Sequence, residues 1–77
     1  MTTSDFLRAL EMTLEIEPGS IAGNESLSDV GWWDSMATLV FIAIADEKLQ
    51  TTISGEELAK CTSIPDLLGL LGDKLTP

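Results

Sequence analysis

Apolar residues recur near a 3.6-residue period at the start of the chain: Phe6, Leu7, Leu10 and Leu14, with Ala9, Met12 and Ile16 alongside. This predicts a helix with one buried face. Thr3 or Ser4 can cap it, Asp5 suits its dipole, and Pro18-Gly19 should end it after about a dozen residues. From Glu17 to Trp33 the periodicity stops, and Pro18-Gly19, Gly23-Asn24, Ser26, Ser28-Asp29 and Gly31 read as loop. A connection this long in a small domain is either functional or pinned to the core. Ile21, Leu27, Val30 and one of Trp32 and Trp33 are the expected pins, with the tryptophans read as core anchors before ligand stackers.

The apolar run that follows predicts a second helix from about Ser35 to Leu49, capped by Asp34. Val40-Phe41-Ile42 alone would also suit a buried strand, but no Gly or Pro interrupts the run and its length favours helix. The run is apolar nearly all round until Asp46-Glu47-Lys48, so this helix is either enclosed or leaves an exposed patch. Gln50 to Ile53 form an extended link. Ser54 and Glu57 then have the spacing of a capping box for a short third helix with Leu58 and Cys61 inward. Ser63 and Asp66 repeat that spacing for a fourth, with Pro65 in its first turn and Leu67, Leu68, Leu70 and Leu71 toward the core. Gly69 weakens that helix by roughly 1 kcal/mol against Ala, so close packing requires it or the helix is marginal. Gly72 and Pro77 mark its end. The fold class is all-α: a small four-helix bundle, three longer helices and a short third, with a long first loop, in one domain spanning residues 1–77.

Charge narrows the range of partners. Thirteen acidic residues face four basic ones, a net charge of −9 that repels nucleic acid and anionic membrane and attracts basic protein surfaces. With 77 residues the chain buries ~60% of the surface it exposes when unfolded, enough for a modest core and not for an enclosed catalytic cavity. Cys61 is the only cysteine and there is no histidine, which disfavours zinc and every His-based general base. Cys61 itself reads as a small buried apolar residue. Glu56-Glu57 and Asp46-Glu47 read as solvated helix faces, and Glu25 and Asp29 lack calcium-loop spacing, so no metal site is expected. The N-terminus has no signal-peptide pattern, and the apolar run is well short of the ~20 residues of a membrane span. A soluble, cytoplasmic monomer is expected.

Trp33-Asp34-Ser35-Met36 stands where the polar loop meets the apolar run. An Asp cap followed by Ser places a hydroxyl at the positive end of a helix dipole, beside unpaired backbone N–H groups that favour a phosphate. Taken alone, an Asp-Ser pair is more often an ordinary cap.

With the helix spacing, the acidity and the Ile53-Ser54 and Thr62-Ser63-Ile64-Pro65-Asp66-Leu67 segments, the chain from about Phe6 to Leu75 resembles the acyl carrier protein family. Asp34-Ser35-Met36 stands at the family's Asp-Ser-Leu motif, with Trp33 in front as in many specialised bacterial carriers. The resemblance implies a 4'-phosphopantetheine arm on Ser35, flanked by Asp34 and Met36 and transferred from coenzyme A by a separate phosphopantetheinyl transferase. Ser35 has no histidine or lysine neighbour in sequence, consistent with a base supplied by another protein. Acyl groups would ride as thioesters on the arm and not on Cys61, and the chain would not be an enzyme.

The resemblance also implies docking of loading and processing enzymes, with basic or apolar surfaces, on the face of Trp33, Leu39, Val40, Ala43, Asp46 and Glu47. Ala37 and Val40 stand where fatty-acid carriers often have acids, so with Leu39 and Ala43 this face is expected to be unusually apolar, unless the loop before Trp33 covers it. A fatty-acid, polyketide, lipid or modified-sugar pathway fits. Peptidyl or aminoacyl carriers usually show Gly-Gly-His-Ser or Gly-Gly-Asp-Ser, from which Gly31-Trp32-Trp33-Asp34 departs. An unmodified acidic docking module is the alternative from another class.

Overall fold

The computed structural model describes residues 1–76; Pro77, expected to mark the end of the chain's last element, lies outside them. Four α-helices follow one another: α1 (Thr3–Leu14), α2 (Ser35–Leu49), α3 (Gly55–Ala59) and α4 (Ile64–Leu71). The expected small all-α bundle with a short third helix and a long first loop is what forms. Short 3₁₀ turns at Leu27–Asp29 and Gly72–Lys74 complete it.

The cap of α1 falls on Thr2, one residue before the expected positions, and its hydroxyl accepts from the Asp5 N–H at 3.0 Å. Thr3 is used otherwise, its N–H donating to the Thr76 carbonyl at 2.8 Å, which ties the two ends of the described chain together. Pro18-Gly19 does not terminate α1. Glu15 takes the left-handed conformation (φ 59°) directly after Leu14, and the N–H groups of Ile16 and Glu15 turn back to the carbonyls of Glu11 and Met12. The helix therefore stops before the proline is reached.

Phe6, Leu7 and Leu10 of α1 pack against Phe41, Ile44, Ala45 and Leu49 of α2, with Ile53, Leu58, Ile64, Leu67 and Leu71 closing the core. Phe6 and Phe41 meet edge to face at 5.4 Å. Leu14 is only half-buried and Met12 is 80% exposed, so these two expected core positions lie outside it. In their place the core receives Glu11, at 1% exposure.

The predicted capping box of α3 is present in full, with Ser54 and Glu57 each serving the other's backbone N–H. Cys61 lies past the end of α3, half-buried. At α4 the Ser63 hydroxyl accepts from the Asp66 N–H, but the Asp66 carboxylate turns to the N–H and hydroxyl of Thr62 and not to Ser63. Ile64, Leu67 and Leu71 form the buried face of α4, leaving Leu68 and Leu70 half-buried. Gly69 is exposed and a Cβ there meets nothing within 4 Å, so packing does not require it.

Candidate functional site

The long loop delivers the chain to α2 through two kinds of attachment. At its start Glu11 reaches up from α1, accepting from the N–H groups of Gly19 at 3.0 Å and Ile21 at 2.8 Å, while Arg8 pairs with Glu11 at 2.6 Å and donates to the Ile21 carbonyl at 2.7 Å. Burial works against the Glu11 charge, but these backbone N–H donors and the Arg8 guanidinium outweigh it and hold the carboxyl below the usual glutamate range. Glu25 then closes the next turn, accepting from Ala22, Gly23 and Asn24, and donation from Ala22 is the largest reason its carboxyl is also held low.

Further along, the loop pairs with the α3–α4 turn. The Leu27 N–H donates to the Thr62 carbonyl at 2.9 Å and the Ile64 N–H to the Glu25 carbonyl at 2.8 Å. Of the expected pins, Ile21 and Leu27 are buried, and Val30 and both tryptophans are half-buried against the core. Trp32, Trp33 and Phe41 form an edge-to-face series, 6.0 Å from Trp32 to Trp33 and 6.3 Å from Trp33 to Phe41. Trp33 thus anchors the residue immediately before the α2 cap.

At that cap the Asp34 carboxylate accepts from the Ala37 N–H at 2.9 Å, and the Asp34 carbonyl receives the Thr38 N–H at 3.0 Å. This leaves the N–H groups of Ser35 and Met36 with no protein acceptor among the described residues. Ser35 itself is exposed, and its hydroxyl is engaged in no hydrogen bond among the described residues. A hydroxyl there, beside free N–H groups and a helix dipole, is open to a modifying enzyme and suited to a phosphodiester.

The sequence profile of one family, described as the phosphopantetheine attachment site, matches residues 4–71. The chain belongs to that family. Its members carry 4'-phosphopantetheine as a covalently attached arm. A search of curated proteins and a search of solved structures each gave no match.

Within this carrier domain the expected docking residues divide. Leu39, at 67% exposure, and Ala43 lie along one exposed stripe of α2, which Met36 of the expected attachment motif extends at 68%, with Asp46 and Glu47 exposed beyond it. Val40 is half-buried at its edge. Ala37 is fully buried, so it is removed from the apolar face that it was expected to share. The loop before Trp33 therefore leaves Leu39 and Ala43 open while Ala37 goes to the interior.

Cys61 is chemically quiet. Burial, then the negative charges of Asp66 and Glu57, push its thiol above the ordinary cysteine range, so it stays protonated and weakly nucleophilic near neutrality. Sequence reasoning missed Glu11 and Glu25 as the groups that hold the loop. A glutamate signals solvent by residue type even where, as at Glu11, its spacing places it on the buried helix face, and only the unpaired N–H groups of a loop without secondary structure hinted that acceptors were needed.

Proposed function

We propose that Ser35 is the residue that bears the 4'-phosphopantetheine arm, and that the chain is a single acyl carrier domain of a fatty-acid, polyketide or other specialised biosynthetic pathway. The observation that carries this reading is the exposed, unengaged Ser35 hydroxyl one residue after the Asp34 cap, at the N-terminus of α2. Asp34 fixes the first turn, and the N–H groups of Ser35 and Met36 would receive the phosphate. The arm supplies the thiol on which acyl groups travel as thioesters. No base stands beside Ser35 in sequence, so a phosphopantetheinyl transferase brings its own, and the chain acts as substrate rather than enzyme.

The Met36–Leu39–Ala43 stripe, with Trp33 and Val40 at its margin and Asp46 and Glu47 beyond, is the docking face for loading and processing enzymes. Apolar contact holds the complex and the acids steer its approach.

Incubation with coenzyme A and a broad-specificity phosphopantetheinyl transferase, followed by intact-protein mass measurement, tests the assignment. The mass should rise by one pantetheine phosphate in the native chain and stay unchanged in Ser35→Ala. An unmodified native chain would favour an acidic docking module, and a gain surviving in Ser35→Ala would move the site elsewhere. Analysis of the thioester on protein from its native cell separates an acyl carrier from an aminoacyl one.

A further inference from the structure

Glu11 is a carboxylate placed where an apolar side chain would ordinarily pack, and nothing in the carrier reading uses it. It lies among Leu7, Leu10 and Ile21 in the core, at 1% exposure. Arg8 touches it from its own helix, the loop meets it with the backbone N–H groups of Gly19 and Ile21, and α2, α3 and α4 give it no ion pair or hydrogen bond among the described residues. The loop's own carboxylate, Glu25, is occupied by Ala22, Gly23 and Asn24.

Arg8 and Glu11 together serve both the N–H and the carbonyl of Ile21, the role that a neighbouring strand would play. Residues 17–24 therefore rest on α1 through side chains rather than through a backbone ladder. The two ends of this segment are fixed independently: at Glu15 and Ile16 by the left-handed turn onto the Glu11 and Met12 carbonyls, and from Glu25 onward by the Ile64 N–H donating to the Glu25 carbonyl and the Leu27 N–H donating to the Thr62 carbonyl. Left-handed Gly19 and Gly23 (φ 89° and 106°) lie between those ends.

We propose that the Arg8–Glu11 pair is an acid-released latch: when Glu11 takes a proton, residues 17–24 lift from α1 as one strap, uncovering Leu7, Leu10 and Ile21, while Asp34 and Ser35 keep their places. A neutral carboxyl carries one donor and loses its ionic partner, so it cannot accept from both Gly19 and Ile21 with the strength of a carboxylate. The Ser35 end is insulated because the Ser26–Ser63 pairing, the Trp33–Phe41 contact and the Asp34 cap all lie on the far side of the second fixed point. The latch does not depend on which serine bears the arm.

The test follows amide hydrogen exchange and carboxyl shifts by NMR on the full chain as pH is lowered. Gly19 and Ile21 should lose protection with the midpoint of the Glu11 carboxyl, and that midpoint should lie below the ordinary glutamate range, while Phe41 and Ile44 stay protected. Glu11→Gln should open the strap at neutral pH, raising exchange at Gly19 and Ile21 roughly tenfold or more with a much smaller change at Phe41. Arg8→Gln keeps the carboxylate but removes its cation, and should move the opening midpoint to higher pH, a readout that remains if Glu11→Gln fails to fold. Loss of protection at Gly19, Ile21, Phe41 and Ile44 together, no loss when Glu11 is protonated, or an unmoved midpoint in Arg8→Gln would each overturn the proposal.

Discussion

Single side chains here are often set against their local propensity, and Gly69 is the clearest case. It sits in the exposed middle of α4 with helical backbone and nothing for a methyl to meet, so its only effect is the extra freedom it gives the unfolded chain. Gly69→Ala should stabilise the protein by about 0.5–1 kcal/mol, read as a higher urea midpoint at unchanged slope. A loss of stability would mean that the helix needs its backbone exposed. The sequence posed this choice without deciding it, because a glycine required by packing and one merely tolerated look alike until the neighbours are known. Glu11 was illegible for a related reason. Its spacing from Leu7 and Leu14 puts it on the buried face of α1, but a carboxylate reads as solvent by residue type, and only the return of Gly19 and Ile21 over it supplies the donors that let it be interior.

At the scale of elements, α2 was read to the residue, Asp34 through Leu49, because its cap, its uninterrupted length and its charged end all agree. The end of α1 was not. Glu15 and Gln50 both adopt left-handed caps without glycine, and a non-glycine cap leaves no mark in sequence. The exposure around α2 was likewise open, since a segment apolar all round has no face to read; Ala37 goes in because it shares the face of Phe41, Ile44 and Ala45 that meets the core, and Leu39 lies off that face and stays out. That exposure gives the docking proposal its consequence. Leu39→Ala should change folding stability by less than about 0.5 kcal/mol, since no core contact is lost. It should weaken binding to a cognate loading enzyme roughly tenfold, measured by titration calorimetry, as truncation at the centre of an apolar contact does. Neutralising Asp46 and Glu47 should instead slow association and flatten its salt dependence. Binding that falls steeply with salt and ignores Leu39→Ala would show that charge, and not the apolar stripe, holds the complex.

For the whole molecule the acidic excess and the buried carboxylates act in opposite directions, and pH separates them. With 13 acids against 4 bases the folded chain repels itself near neutrality, so salt should stabilise it. Raising ionic strength from about 0.01 to 0.15 M, which shortens the screening length from roughly 30 to 8 Å, should raise the thermal midpoint at pH 7. The same repulsion fades as the exposed carboxylates take up protons, and that alone would make acid stabilising. Glu11, Glu25 and Asp66 oppose it. The carboxyls of Glu11, Glu25 and Asp66 are held below their ordinary range in the fold, so the stability they give is present above the unfolded-state carboxylate values and is lost as pH falls through the folded ones. Glu11 dominates this loss because its protonation leaves buried N–H groups poorly served, whereas Asp66 lies at the surface where water replaces it. Calorimetric midpoints should therefore hold steady or rise slightly from pH 7 toward 5 and then fall steeply in the carboxylate range, while the benefit of added salt shrinks over the same interval. A midpoint that keeps rising to pH 3 would mean that relief of surface repulsion outweighs the carboxylates that hold the loop.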